Sequence, residues 1–108
     1  MLNNSQILEL REALRKAISE SYIYSTVEDG GTSNFDTPIL RLSKKWSKAE
    51  IKEAFLSTGL YPEIENDNTI YILRACQGQG FRRTAMAEAF RDSLRNSGFT
   101  SYVDYRTD

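Results

Sequence analysis

The fifteen residues from Trp46 to Leu60, WSKAEIKEAFLSTGL, constrain this chain most, because they encode a helix together with both of its ends. Ser47 is a good N-cap, Glu50 stands where it completes a capping box, and Trp46 and Ile51 occupy the two positions of a hydrophobic staple. Gly59 suits a left-handed C′ position, with Leu60 placed to touch Phe55 in a Schellman ending. What flanks this helix must therefore be read as the segments that enter and leave it.

Before it lies ILRLSK, a short strand with Leu40 and Leu42 on one face and Ile39 and Arg41 on the other. After it, YPEIEN and TIYILRA flank Asp67 and Asn68, two residues that tolerate left-handed turn geometry, so the pair reads as a β-hairpin. A second helix starts near Phe81, carries Met86, Phe90 and Leu94 at i, i+4 and i+8, and stops at Gly98 with Phe99 set against Leu94. FTSYVDYR closes the chain as a last strand. The order from residue 38 onward is β-α-β-β-α-β, so the fold class is α+β with a ferredoxin-like core over 38–108.

Residues 1–37 form an extension of the same single domain. Ile7, Leu10, Leu14 and Ile18, with Ala13 and Ala17, recur at helical spacing and give an amphipathic N-terminal helix. YIYSTVE, residues 22–28, favours an extra strand, and DGGTSNFDTP, residues 29–38, is a loop. Tyr71, Leu73 and Ala75 are apolar on the parity opposite to Ile70 and Ile72, as in a strand buried on both faces. The N-terminal stripe is then a candidate to cover the second sheet face, or to pair with a second copy in a homodimer.

Composition narrows the chemistry. One cysteine and no histidine leave no internal disulfide, no structural zinc site and no Ser-His-Asp triad, and no cofactor motif is present. A formal charge of -1 speaks against a wholly basic nucleic-acid surface. No segment reads as a signal peptide or membrane span, so the expected setting is cytoplasmic, with no membrane partner.

ACQGQGFRRTAMAEAF, residues 75–90, joins the third strand to its helix. Cys76 and Arg82 are separated by five residues, with Gly78 and Gly80 between them. A thiolate nucleophile needs such a place, where backbone N–H groups lower its pKa and an arginine clamps phosphate oxygens. The stretch resembles the phosphate loop of the low-molecular-weight tyrosine phosphatases, in which Cys, five residues, Arg and Ser precede a Met-Ala-Glu-Ala helix. That resemblance implies Cys76 as nucleophile and Arg82 as clamp. Here Arg83 stands where the Ser or Thr is expected, and Thr84 comes one residue late.

A second reading needs no catalysis. If the first and third strands are parallel neighbours, the loops SKKWS and CQGQGFRR lie side by side, bringing Lys44 and Lys45 to Arg82 and Arg83 at two helix N-termini. With Gly78 and Gly80 this forms an anion- or partner-binding edge. A third reading is a base-stacking surface: PILRLSKKWSKAEIKEAFLSTGL is similar in rhythm to the first strand and helix of the RNA-recognition-motif family, with Tyr71 and Tyr102 as stackers if the second sheet face is open. That family's aromatic signature is missing, and Leu40 stands where its first strand carries a ring.

Residues 39–52 hold Arg41, Lys44, Lys45, Lys48 and Lys52 against Glu50 alone, while the hairpin carries Glu63, Glu65 and Asp67. Opposite charges at separate places suit steering toward a protein partner. The sequence is thus read as a small non-enzymatic binding or regulatory module with a protein partner. The alternatives are a single-stranded nucleic-acid-binding module and a cysteine-dependent phosphatase.

Overall fold

In the computed structural model, residues 3–31 and 33–107 are described; Met1, Leu2, Asp108 and Thr32, the last within the expected loop, lie outside the described residues. Helix α1 (Asn4–Tyr22) starts from a reciprocal cap that the sequence reading missed. The Gln6 amide donates to the Asn3 side-chain oxygen at 3.0 Å, and the Asn3 amide donates to Gln6 Oε1 at 3.2 Å. Its buried stripe is Ile7, Leu10, Ala13, Leu14 and Ala17, with Ile18 partly buried.

The strand expected over residues 22–28 is not formed. Tyr22 ends α1 and Ile23–Thr26 make one 3₁₀ turn, leaving Tyr22, Ile23 and Tyr24 exposed. Strand preference reflects packing against a pleated neighbour, and this segment has none beside it. Its backbone is satisfied locally instead, with the Val27 amide donating to the Tyr24 carbonyl at 3.1 Å.

The remaining elements are β1 (Thr37–Arg41), α2 (Lys48–Phe55), β2 (Tyr61–Ile64), β3 (Thr69–Leu73), α3 (Gly80–Asn96) and β4 (Thr100–Asp104). The sheet order is β2-β3-β1-β4, and every neighbouring pair is antiparallel. β1 and β2 therefore point the same way with β3 inserted between them, and α2 carries the chain across. Among the described residues the architecture is mixed α+β, three α-helices and one four-stranded antiparallel sheet.

α2 has the capping box expected of Ser47 and Glu50, with Glu50 N to Ser47 Oγ at 3.1 Å and Ser47 N to Glu50 Oε1 at 2.9 Å. Its end differs from expectation. The helix stops at Phe55, Leu56 turns extended, and Ser57 and Gly59 both take positive φ. Competing donors explain the early stop: Arg11 of α1 donates to the carbonyls of Glu53 and Ala54, and the Thr58 hydroxyl to that of Phe55. At the end of α3 the Schellman motif forms as read, with Phe99 N to Leu94 O and Gly98 N to Arg95 O both at 3.0 Å.

One core fills the space between the sheet and all three helices. Leu40, Ile70 and Ile72 supply its floor, Ile51, Ala54, Phe55, Phe90 and Leu94 its walls, and the stripe of α1 its roof. α1 packs between α3 and α2 and not on the second sheet face. The expected cover for that face is therefore absent, and the stripe that would have paired with a second copy is buried within the chain.

Candidate functional site

At the α3 N-terminus the close approach of two backbones explains the glycines. Gly78 and Gly80 have φ of +73° and +57°, and a Cβ on Gly80 would lie 2.0 Å from the Gly30 carbonyl oxygen. The segment 27–31 is seated here. The Phe81 amide donates to Gly30 O at 2.8 Å, and the Gln79 amide to Asp29 Oδ1 at 3.2 Å. Arg82 Nε donates to the Val27 carbonyl at 2.7 Å and lies 3.3 Å from Asp29 Oδ1. The spacing implied an anion held by helix N–H groups and an arginine; here the N-cap N–H of Gln79 and the Arg82 guanidinium meet the chain's own Asp29 carboxylate, while the Phe81 N–H is taken by the Gly30 carbonyl.

Arg83 is held in the same joint, donating to the Asp36 carbonyl at 2.8 Å. Asp36 is buried: Oδ2 accepts from the Thr84 hydroxyl at 2.6 Å and Oδ1 from the Arg106 amide at 2.9 Å. Asn34, also buried, donates to Gly80 O at 3.0 Å and to Thr84 Oγ1 at 3.3 Å. Thr84, out of step for a phosphate loop, has a structural place as the partner of Asn34 and Asp36. Sequence reading missed Asp29, Asn34 and Asp36, because the bond from Asp29 to Gln79 spans 50 residues and no local pattern announces it.

Lys44 and Lys45 do not join Arg82 and Arg83. The expectation assumed parallel central strands, whereas β1 and β3 are antiparallel, with Ile39 opposite Tyr71 and Arg41 opposite Thr69. The loop after β1 therefore lies beside the β2–β3 turn: Leu42 N donates to Asn68 O at 3.1 Å, and the buried Asn68 amide donates to the carbonyls of Ser43 and Trp46. The loop after β3 lies at the other end of strands that rise about 17 Å over five residues. Both lysines are exposed. The charge asymmetry changes likewise, since Arg41 and Asp67 pair at 3.2 Å across the sheet end instead of standing apart.

Cys76 is half-buried and free. Burial pushes its thiol up to about 12, against the opposing pull of the Arg83 charge and with a further upward push from Asp36. A group so placed is a neutral thiol at pH 7, the opposite of an activated nucleophile. Among the described residues no group of three or more His, Cys, Asp or Glu is arranged to hold a metal ion, and no helix is long and apolar enough to cross a membrane.

The second sheet face is open, and the strand register maps its side chains in rows. One row runs Glu63, Tyr71, Ile39, Tyr102 across all four strands; Tyr61 and Leu73 stand opposite each other beside it. Ile39 is 3% exposed, while Tyr102 and Tyr61 are 37% and 54% exposed. Tyr71 and Leu73 are half-buried. Beyond β1 and β4 the ladder continues, with Phe35 N donating to Arg106 O at 2.8 Å, and the Arg106 guanidinium carbon sits 5.8 Å from the Tyr71 ring centroid. Comparison with protein-family models, with curated proteins and with solved structures gives no match to this chain.

Proposed function

We propose that this chain is a small non-enzymatic binding module with a ferredoxin-like core, and that it engages a protein partner through the open face of its sheet. The strand order, with β3 between the two strands that α2 joins, supports the ferredoxin-like assignment. The observation that carries the functional reading is that all three helices pack on one face while the other presents Tyr61, Tyr71, Leu73 and Tyr102 to solvent. Aromatic side chains that give large contact area at low entropic cost are enriched at protein interfaces. The α3 N-terminus is a weaker candidate, because Asp29, Gly30 and Val27 already use its donors.

Nucleic acid is the second reading, favoured by half-buried Tyr71 and exposed Tyr102 lying in one row across the sheet. The charges beside them oppose it: Glu63 shares that row, and Glu65 and Asp104 flank it. Phosphates would meet carboxylates there. The phosphatase reading has the raised Cys76 thiol and the occupied helix N-terminus against it.

The test is affinity isolation from the source cells with the parent chain, a Tyr61→Ser/Tyr71→Ser/Tyr102→Ser variant and a Lys44→Ala/Lys45→Ala variant. The expected result is a protein retained by the parent and by the lysine variant and lost from the tyrosine variant. Retention by the tyrosine variant would overturn the assignment of the face. Tight binding of a mixed single-stranded oligonucleotide with no protein retained would favour the second reading, and turnover of an aryl phosphate would restore the third.

A further inference from the structure

On the open face, Tyr71 already carries a guanidinium. Arg106 lies over its ring, and Arg106 Nε is held by Asp104 Oδ2 at 2.6 Å. The Arg106 side chain is 61% exposed, so its hold on the ring is exchangeable. Around this pair is a cavity of about 170 Å³ that Glu63 and Glu65 also line. Among the described residues neither of these two glutamates makes an ion pair, in contrast to Asp67 and Asp104. The cavity thus holds one guanidinium and two carboxylates with no cation of their own.

We infer that this cavity receives an arginine side chain from an extended segment of the protein partner, stacked on Tyr71 and bonded to Glu63 and Glu65. Arg106 marks the stacking position and competes for it. The inference rests on the proposed function and names the partner's chemistry at the same face. Arginine fits better than lysine because a planar guanidinium both lies flat on an aromatic ring and forks to carboxylates. The carboxylates repel a phosphate backbone, which sets the site against nucleic acid. Lys44, Lys45 and Lys48 offer ammonium groups and not guanidinium forks, whereas Arg74, just after β3, is an exposed guanidinium through which a second copy would be the competing occupant.

The test uses a fluorescein-labelled, end-capped peptide with arginines alternating with threonines, its citrulline counterpart and a labelled oligothymidylate, titrated at low salt by anisotropy. The arginine peptide should bind and the citrulline peptide should not. Glu63→Gln/Glu65→Gln should weaken binding roughly fivefold, and Arg106→Ala should tighten it about two- to fivefold by freeing the ring. Equal binding of the arginine and citrulline peptides overturns the inference, as does arginine-peptide affinity that ignores the glutamate substitutions. So do tighter binding of the oligothymidylate and a self-association that Glu63→Gln/Glu65→Gln abolishes. If the tyrosine variant loses a protein partner while no arginine peptide binds, the arginine assignment fails and the proposed surface stands.

Discussion

Replacing Gly80 by alanine tests whether the α3 N-terminus is a packed joint. The residue has φ of +57°, where an alanine costs ~1–2 kcal/mol. Its Cβ would also sit 2.0 Å from Gly30 O and 2.9 Å from Asp29 O, both backbone atoms. The Gly30 carbonyl must retreat by about 1 Å to restore contact distance, which breaks its 2.8 Å bond from Phe81 N. Losing that bond costs ~1 kcal/mol, and displacing Asp29 from Gln79 N and Arg82 costs about as much again. The sum is ~3–4 kcal/mol, a large part of the stability of a domain this size. Gly59→Ala and Gly98→Ala are the controls, because both have positive φ and nothing within 4 Å of the added atom. Each should cost only the ~1–2 kcal/mol of the backbone strain itself. Urea unfolding followed by the fluorescence of buried Trp46, the sole tryptophan, measures all three. A Gly80→Ala cost no larger than the controls would refute the seating of segment 27–31 on α3.

Ser93 has a fully buried hydroxyl with no hydrogen-bond partner among the described residues, so Ser93→Ala should raise stability by ~1 kcal/mol in the same assay. The Cys76 thiol, pushed up from 9.0 to about 12, should have about a thousandfold less thiolate than the unfolded chain at pH 8. Iodoacetamide should therefore alkylate the folded protein at least ~100-fold more slowly than the urea-unfolded one. Because this folded pKa lies above the unfolded value, the stability it contributes is complete below pH 9 and is lost as pH rises toward 12. Cys76→Ala should accordingly flatten the alkaline fall in urea midpoint. The Tyr105 hydroxyl donates to Glu88 Oε2 at 2.6 Å, which together with partial burial raises its pKa; Glu88→Gln should move its phenolate absorbance transition to lower pH.

Elements whose signals are local were legible in the sequence. The Ser47–Glu50 capping box, the Asp67–Asn68 turn and the Gly98 ending each depend on residues within a few positions, and all three form. Failures came where distant donors or neighbours decide. The end of α2 is set by Arg11, more than forty residues away, and residues 22–28 lack the strand that would have made them one. The expected Lys44–Arg82 edge failed on strand direction alone, since the same segments in antiparallel register place the two loops at opposite ends. The glycines of the joint were read as part of an anion- or partner-binding edge, whereas in the structure the chain's own backbone approaches them. What approaches, Asp29 and Gly30, is visible only after folding.

The central claim is that the open sheet face is the binding surface, and the six tyrosines provide its most direct measurement. Tyr61, Tyr71 and Tyr102 lie on that face, while Tyr22 ends α1, Tyr24 lies in the turn after it and Tyr105 bonds to α3. With tyrosine rings isotopically labelled, NMR spectra recorded on adding the isolated partner should show the resonances of Tyr61, Tyr71 and Tyr102 shifting or broadening while the other three stay in place. Perturbation centred on Tyr22 and Tyr24, with the sheet tyrosines unmoved, would contradict the claim.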